Sequence, residues 1–560
     1  MNIDPVTLTV IEKGLQHVCS EMDLTHDRTA FSPVISEGFD RSNGIYRPSD
    51  GGVIAQGELG MPIFIGVMQE TTREVIEHRN DLGDGDIILV NDPYFGGTHL
   101  MDVKMVKPFF YSGRLWCFLS NTGHWPDTGG MVPGGFSSTA TEIHQEGLRI
   151  PPVKLVRRGE IQQDIVDLVL ANVRVSEERI GDIKAQIGAL DTGEKRLREL
   201  LDRYGADTVE AAIEELEVRS ERMMRSKIRT IPDGSYSSIA YIDSDGIVDA
   251  PLEIRLTATI ADDEIELDLG GSSPPCLGPM NSVWASTLSA CYLSFKHIFP
   301  DVPINVGCFK PIKIKKPKGT FLYAKYPKPV AGCAAEVSQR IVEAVFLALV
   351  EVIPDKVYAA PAGTSGNFSL GGYDPQTDSH YIMYFFSGGG YGGWWKGDGI
   401  SNGCSTIGIS KTQPVEILEQ RYPILFERYA LREGSAGAGR YRGGFGTGYR
   451  VRLLRGEATA SFLMDHGRYG PPGVLGGEAG LPNEIMISQA GRRSTPPHRS
   501  KGEGYRLEAG DWVDVRTPGG GGYGNPDERS AVLAERDKRC GYFDTVDAGA
   551  GVDPPETIKR

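Results

Sequence analysis

The chain has 560 residues, 40% hydrophobic and 24% charged, the balance of a packed globular protein and not of a disordered one. Its 59 basic and 74 acidic residues leave a net charge of −15, which repels a phosphate backbone and argues against nucleic acid as a partner. At roughly 150 residues per domain the length predicts three or four packed units, and 71 glycines without a triplet period exclude collagen and point to many tight bends.

Asp4 before Pro5 pairs a helix-capping residue with proline at the first helical position, and Val6, Leu8, Val10, Ile11, Leu15 and Val18 supply an apolar face, so residues 4–26 are predicted helical. Residues 30–158 alternate glycine turns with short apolar runs such as IILV (87–90) and LWCFLS (115–120), a sheet-forming pattern. Residues 160–229 carry helical periodicity and dense i, i+4 charge pairs, predicting three or four helices, closed by Pro232-Asp-Gly. Strands return over 235–330, with a hairpin turning at Ala261-Asp-Asp. A helix is expected over 333–353. Strand and glycine turn then run over 356–525, before a helix at 528–539. The fold class expected is α+β and multi-domain, with strand- and glycine-turn-rich mixed sheets and a helical insert. The divisions expected are 1–158, 159–232, 233–355 and 356–560.

Eight dispersed cysteines form no CxxC pair, as expected in a reducing compartment. No leader pattern opens the chain and no stretch of ~18 uninterrupted apolar residues occurs, so a cytoplasmic protein with no membrane partner is expected. The basic cluster Lys310–Lys318 reads as a solvated strand face. The nearest approach to a phosphate cradle, GCSTIGISKT (403–412), lacks the lysine after its second glycine. GGGGYG (519–524) opens no helix, since Asn525-Pro526 follows, so no nucleotide site of either familiar kind is predicted.

The chemistry concentrates between Asn91 and Gly130. Strands over 102–110 and 114–121 joined at Ser112-Gly113 make a hairpin whose paired positions sum to about 225. That register sets Asp102 opposite Gly123 and Met101 opposite His124, and the open end gathers His99, Asp102 and His124. Two imidazoles and a carboxylate are a ligand set for Zn, Mn or Fe. The other reading is two loop histidines bonded to backbone. Elsewhere, Asp465-His466 at a strand end is either a base pair or a satisfied polar corner. His144, between Glu142 and Glu146, is a candidate support for the site. Ser405-Thr406 and Ser410 lie in a glycine-rich loop with no assignable base.

The segments DPYFGGTHLMD (92–102), TGHWPDTGG (122–130) and TEIHQEGLRIPPVKL (141–155) resemble the hydantoinase B family. So do GPMNSVWASTLSACY (278–292), DVPINVGCFKPI (301–312), the stretch 413–446 and TPGGGGYGNP (517–526), in the family's order and over nearly the whole chain. The family includes one subunit each of N-methylhydantoinase, 5-oxoprolinase, caprolactamase, and the acetone and acetophenone carboxylases. The resemblance implies a divalent metal at His99, Asp102 and His124, which are also the candidate catalytic groups, with Asp40 of Phe39-Asp40-Arg41-Ser42 as a fourth ligand. It implies a hydantoinase A-type partner that binds ATP and Mg and phosphorylates the substrate, in a heterotetramer or larger assembly. The expected activity is ATP-dependent opening of a hydantoin, lactam or oxoproline ring. The alternative is ketone carboxylation, whose subunits of this kind tend to be longer. One departure stands out: where the family often reads P-V-H-L-G-S-M, this chain has Pro62-Ile63-Phe64-Ile65-Gly66-Val67-Met68.

Overall fold

The structure, a computed structural model, describes residues 3–403 and 406–542. Helix α1 (Pro5–Thr29) starts as the sequence predicts: the Asp4 carboxylate accepts from Val6 N and Thr7 N, each at 3.0 Å. Its buried residues Leu8, Ile11, Leu15, Val18 and Met22 recur at helical spacing. A single turn, α2 (Pro33–Ser36), then leads to a seven-stranded sheet. Its strands are β1 (Arg41–Tyr46), β2 (Val53–Gln56), β3 (Ile87–Val90), β4 (Asp102–Tyr111), β5 (Arg114–His124), β6 (Val153–Arg157) and β7 (Glu160–Ile161), in the spatial order β2-β1-β5-β4-β3-β6-β7.

One element inside this region was not anticipated. Helix α3 (Phe64–His78) interrupts the sheet sequence, and its first five residues are all buried. Its opening run FIGVM is apolar without a break and matches the short apolar runs around it, so it falls within the stretch 30–158 expected to form sheet. The helices α4 (Gln163–Leu170), α5 (Ser176–Tyr204) and α6 (Ala206–Ile228) follow as expected.

The two faces of the sheet enter different cores. On one face Val103, Met105 and Leu119 pack with Leu15 and Val18 of α1 and Ile183 and Leu190 of α5. On the other, Val106 and Phe118 join α3 and the helices α7 (Trp284–Ile298) and α9 (Ser338–Leu349), with the four-residue α8 (Val306–Phe309) between them in sequence. Beyond those helices lies a second sheet of β8 (Gly234–Ile242), β9 (Leu252–Ala261), β10 (Glu264–Asp268) and β11 (Ile312–Ile314). The hairpin β9–β10 turns through Asp262-Asp263, as predicted. β11 runs parallel to β10, and Lys315 pairs with Glu266 at 2.5 Å, so this part of the basic cluster is a solvated strand face.

The C-terminal third pairs two antiparallel sheets around a core that includes Phe368, Phe385, Tyr449, Phe462 and Val513. One is built from Ser379–Phe385, Asn367–Asp374, Glu457–Leu463 and Lys501–Glu508. The other is built from Ile424–Leu431, Thr447–Leu453, Trp512–Arg516, Glu484–Gln489 and Arg492–Ser494. Many glycines here serve close backbone packing and not turns. A Cβ at Gly520 would stand 1.9 Å from the Tyr391 carbonyl oxygen, and one at Gly390 as close to that of Gly444. Among the described residues no helix is long and apolar enough to cross a membrane.

Candidate metal centre

The hairpin β4–β5 turns through Ser112 and Gly113, both at positive φ (50° and 77°), and Tyr111 pairs with Arg114 as the sequence predicts. The register then changes. Phe110 faces Leu115 but Phe109 faces Cys117, so Trp116 is an extra residue in a β-bulge. Below it paired positions sum to 226 and not 225, which corrects the expected pairing: Asp102 lies opposite His124 itself. Paired residues point to one face, so the bulge is what puts these two side chains on the same side of the sheet. On the other edge of β5, Arg41 pairs with Gly123 and the His124 amide donates to the Asp40 carbonyl at 3.0 Å. Asp40, His124 and Asp102 therefore stand in a row across three strands, and His99 reaches in from the turn before β4.

Donor groups of His99, Asp102 and His124 lie within 4.8 Å of one another, all buried. His124 Nδ1 is 3.2 Å from Asp102 Oδ1 and 3.8 Å from Asp40 Oδ2, and His99 Nε2 is 3.6 Å from Asp102 Oδ2. Tetrahedral ligands at ~2.1 Å from a common ion are about 3.4 Å apart, so this spacing fits a bound ion. The electrostatics of His99 and Asp102 fit as well. Burial pushes the His99 imidazole down to about 4, keeping it neutral. Burial alone would raise Asp102, but the two histidines and Lys104 hold it well below the usual carboxylate range. Asp40 is pushed up, first by burial and then by Asp102, against the pull of His124 and Arg41. A neutral imidazole and an ionised carboxylate are what metal binding requires.

The surrounding groups fix these donors. Thr98 Oγ1 donates to Asp102 Oδ2, and Lys104 Nζ donates to the Asp102 carbonyl at 2.8 Å and to Thr98 Oγ1 at 3.3 Å. The His124 ring is stacked against Tyr384 (centroids 5.0 Å apart) and Phe136 (5.8 Å). The Tyr384 hydroxyl donates to Asn367 Oδ1 at 2.6 Å, and Asn367 Nδ2 donates to Glu336 Oε1 at 2.9 Å. Glu336 belongs to a π-helical turn, Cys333–Val337, whose Ala334 and Ala335 line the same cavity.

The weaker sequence candidates separate cleanly. Asp465 is fully buried against Lys501 Nζ at 2.7 Å, and His466 Nδ1 lies 2.6 Å from the Tyr469 carbonyl, so this pair is a polar corner outside the cavity. His144 is exposed and bonded to the Tyr326 hydroxyl at 3.0 Å, not to the site. Ser410 lines the cavity, a role its loop did not suggest. Ser405 lies outside the described residues.

The family model for hydantoinase B/oxoprolinase matches residues 4–526. The chain belongs to this family. The beta subunit of the caprolactamase of Pseudomonas jessenii is 34% identical, the match covering 96% of this chain and 94% of that protein. The B component of a putative D-/L-hydantoinase from a Pseudomonas strain is 31% identical over 97% and 93%. The crystal structure of the ATP-dependent caprolactamase from Pseudomonas jessenii superposes with a TM-score of 0.88 at 32% identity, covering 97% of this chain and 95% of that one.

Within the hydantoinase B family frame, the departure at Phe64 falls directly on the site. Phe64 opens α3 and lines the cavity with Asp40, His99, Asp102 and His124. An aromatic hydrocarbon ring therefore occupies a wall where the family's usual motif would present an imidazole. Thr98, Lys104, Phe136 and Tyr384 escaped the sequence reading. Lys104 left one trace, a cation two residues from Asp102 on the buried face of a strand.

Proposed function

We propose that this chain is the metal-carrying subunit of an ATP-dependent enzyme that opens a cyclic amide, with ATP bound in a hydantoinase A-type partner. The observation that carries the reading is the 3.2–3.8 Å spacing of the donor atoms of Asp40, His99, Asp102 and His124. The relatives support the rest: one is named as the beta subunit of a caprolactamase, and the superposing structure as ATP-dependent.

An amide carbonyl resists water at neutral pH. Transfer of a phosphoryl group from ATP to its oxygen, in the partner, makes the carbon electrophilic. Water adds to that carbon, the ring C–N bond breaks to give an amine and an acyl phosphate, and a second water releases phosphate and the carboxylate. A divalent ion, when bound, would supply Lewis acidity and lower the pKa of a water for this step. Asp40, His99, Asp102 and His124 would hold it. Thr98 and Lys104 keep the Asp102 carboxylate oriented, and the Tyr384 and Phe136 rings fix the plane of His124 and exclude bulk water.

His99→Ala and Asp102→Ala should each strip the metal and abolish ring opening in the reconstituted complex while leaving the fold intact. Elemental analysis of protein purified without chelator, alongside circular dichroism, measures both. Full metal and full activity in either variant would sink the assignment.

A further inference from the structure

The cavity around the four donors is too small for the substrate proposed above. It measures about 30 Å³. A water needs roughly 10–15 Å³ of such space, so an ion and its water fill it, whereas sites for small organic molecules run to about 300–1,000 Å³. Beside it lies a cleft of about 620 Å³, and the two share Ser365, Phe386 and Ser410 as a common wall. Three further large cavities among the described residues share no residue with the donor cavity.

The chemistry of this cleft is specific. Gln413 lines it, is 1% exposed, and donates through Nε2 to the Tyr384 carbonyl at 3.1 Å, while its Oε1 has no hydrogen-bond partner among the described residues. A buried unpaired acceptor is costly, and an N–H donor entering from the cleft would satisfy it. Lys411, next to it, is exposed and has no carboxylate within ion-pairing distance among the described residues, although Glu416 also borders the cleft. Its amide donates to the Gly38 carbonyl at 2.9 Å, and its ammonium lies 4.8 Å from the Phe39 ring, the residue before Asp40. The one free cation among the lining residues is thus anchored to the turn that presents a metal-ligand candidate.

Resting on the reading above, we infer that this cleft holds the phosphorylated cyclic amide. The ring nitrogen, which keeps its proton as the iminium when the oxygen is phosphorylated, donates to Gln413 Oε1, the phosphoryl group lies against Lys411, and the reacting carbon reaches through the wall between Phe386 and Ser410. The ligand class is an O-phosphorylated, anionic lactam or hydantoin. Holding the phosphoryl group matters because water addition followed by its loss regenerates the starting amide, so a badly held intermediate wastes ATP.

The test uses the chain purified with its ATPase partner. Lys411→Glu should raise phosphate released per ring opened by about tenfold, the worth of one charge-assisted contact, and Lys411→Arg should restore coupling. Thr412→Trp, which fills the cleft outside the donor cavity, should cut ring opening at least as much with metal content unchanged. Wild-type coupling in Lys411→Glu, or wild-type ring opening in Thr412→Trp, with metal retained, overturns the cleft assignment. A wild-type complex that contains no metal overturns the reading beneath it instead.

Discussion

Tyr384 offers a test of how the site is held, because its ring and its hydroxyl do different things. The hydroxyl satisfies Asn367 Oδ1 at 2.6 Å, and Asn367 is fully buried. Tyr384→Phe leaves that acceptor unpaired, a loss of about 1–3 kcal/mol. The ring remains, so His124 keeps its stacked neighbour and metal binding should be close to wild type. Tyr384→Ala removes the ring as well. A buried aromatic truncated to alanine costs about 3–5 kcal/mol. It also frees His124 to rotate between Phe136 and a void, and loss of such support weakens metal binding by roughly 10–100-fold. Urea unfolding of chelator-treated protein reads the stability difference, and competition with a chromogenic chelator reads the affinity. Equal metal loss in the two variants would refute the division of labour, since it would mean that the hydroxyl and not the ring positions His124.

Two further outcomes follow from the buried charges. Lys501→Met strands Asp465 beside Asp243 and should cost about 3–5 kcal/mol, whereas the double variant Asp465→Leu/Lys501→Met should recover part of it; a double variant no more stable than Lys501→Met would contradict the pairing. Burial raises Glu146 from 4.5 to about 8, against two hydrogen bonds from Val330 N and Ala331 N. The folded state thus holds this proton more tightly than the unfolded chain. The stability it contributes is fully present below about pH 4.5 and is lost as pH rises through about 8. Glu146→Gln should therefore melt higher than wild type at about pH 9 and much like it at about pH 4, below the unfolded pKa, and identical profiles at both would show that Glu146 is not buried as a neutral acid.

How much could be read beforehand depended on whether the signal was local. Asp4-Pro5 and Ser112-Gly113 act within four residues, and both perform as expected. Helix α7 is buried along nearly its whole length and shows no stripe by which a helix is recognised, and α3 opens on five buried apolar residues, its polar face Gln69, Arg73 and Glu77 coming only afterwards. The three donors His99, Asp102 and His124 share one stretch of chain and could be brought together by a hairpin argument. Tyr384, Asn367 and Glu336 come from parts of the chain more than 200 residues further on, and nothing local marks them as neighbours of His124. The hairpin argument brought His99, Asp102 and His124 together, as the structure does, but through a register one step off, because a bulge at an aromatic position leaves no mark in the sequence.

That extra residue makes the site a matter of odd and even. Between Trp116 and His124 every residue added to or removed from β5 alone exchanges the two faces of the strand. A single deletion there would turn the His124 imidazole toward α1 and α5, into a core of Met22, Met105 and Leu119, while Asp102 still faced the cavity. Two deletions would restore the parity and shift the imidazole by one pair. Length changes at Ser112-Gly113, beyond the bulge, leave the count untouched. The tip of this hairpin is free to vary in length, and the eight positions below it are not.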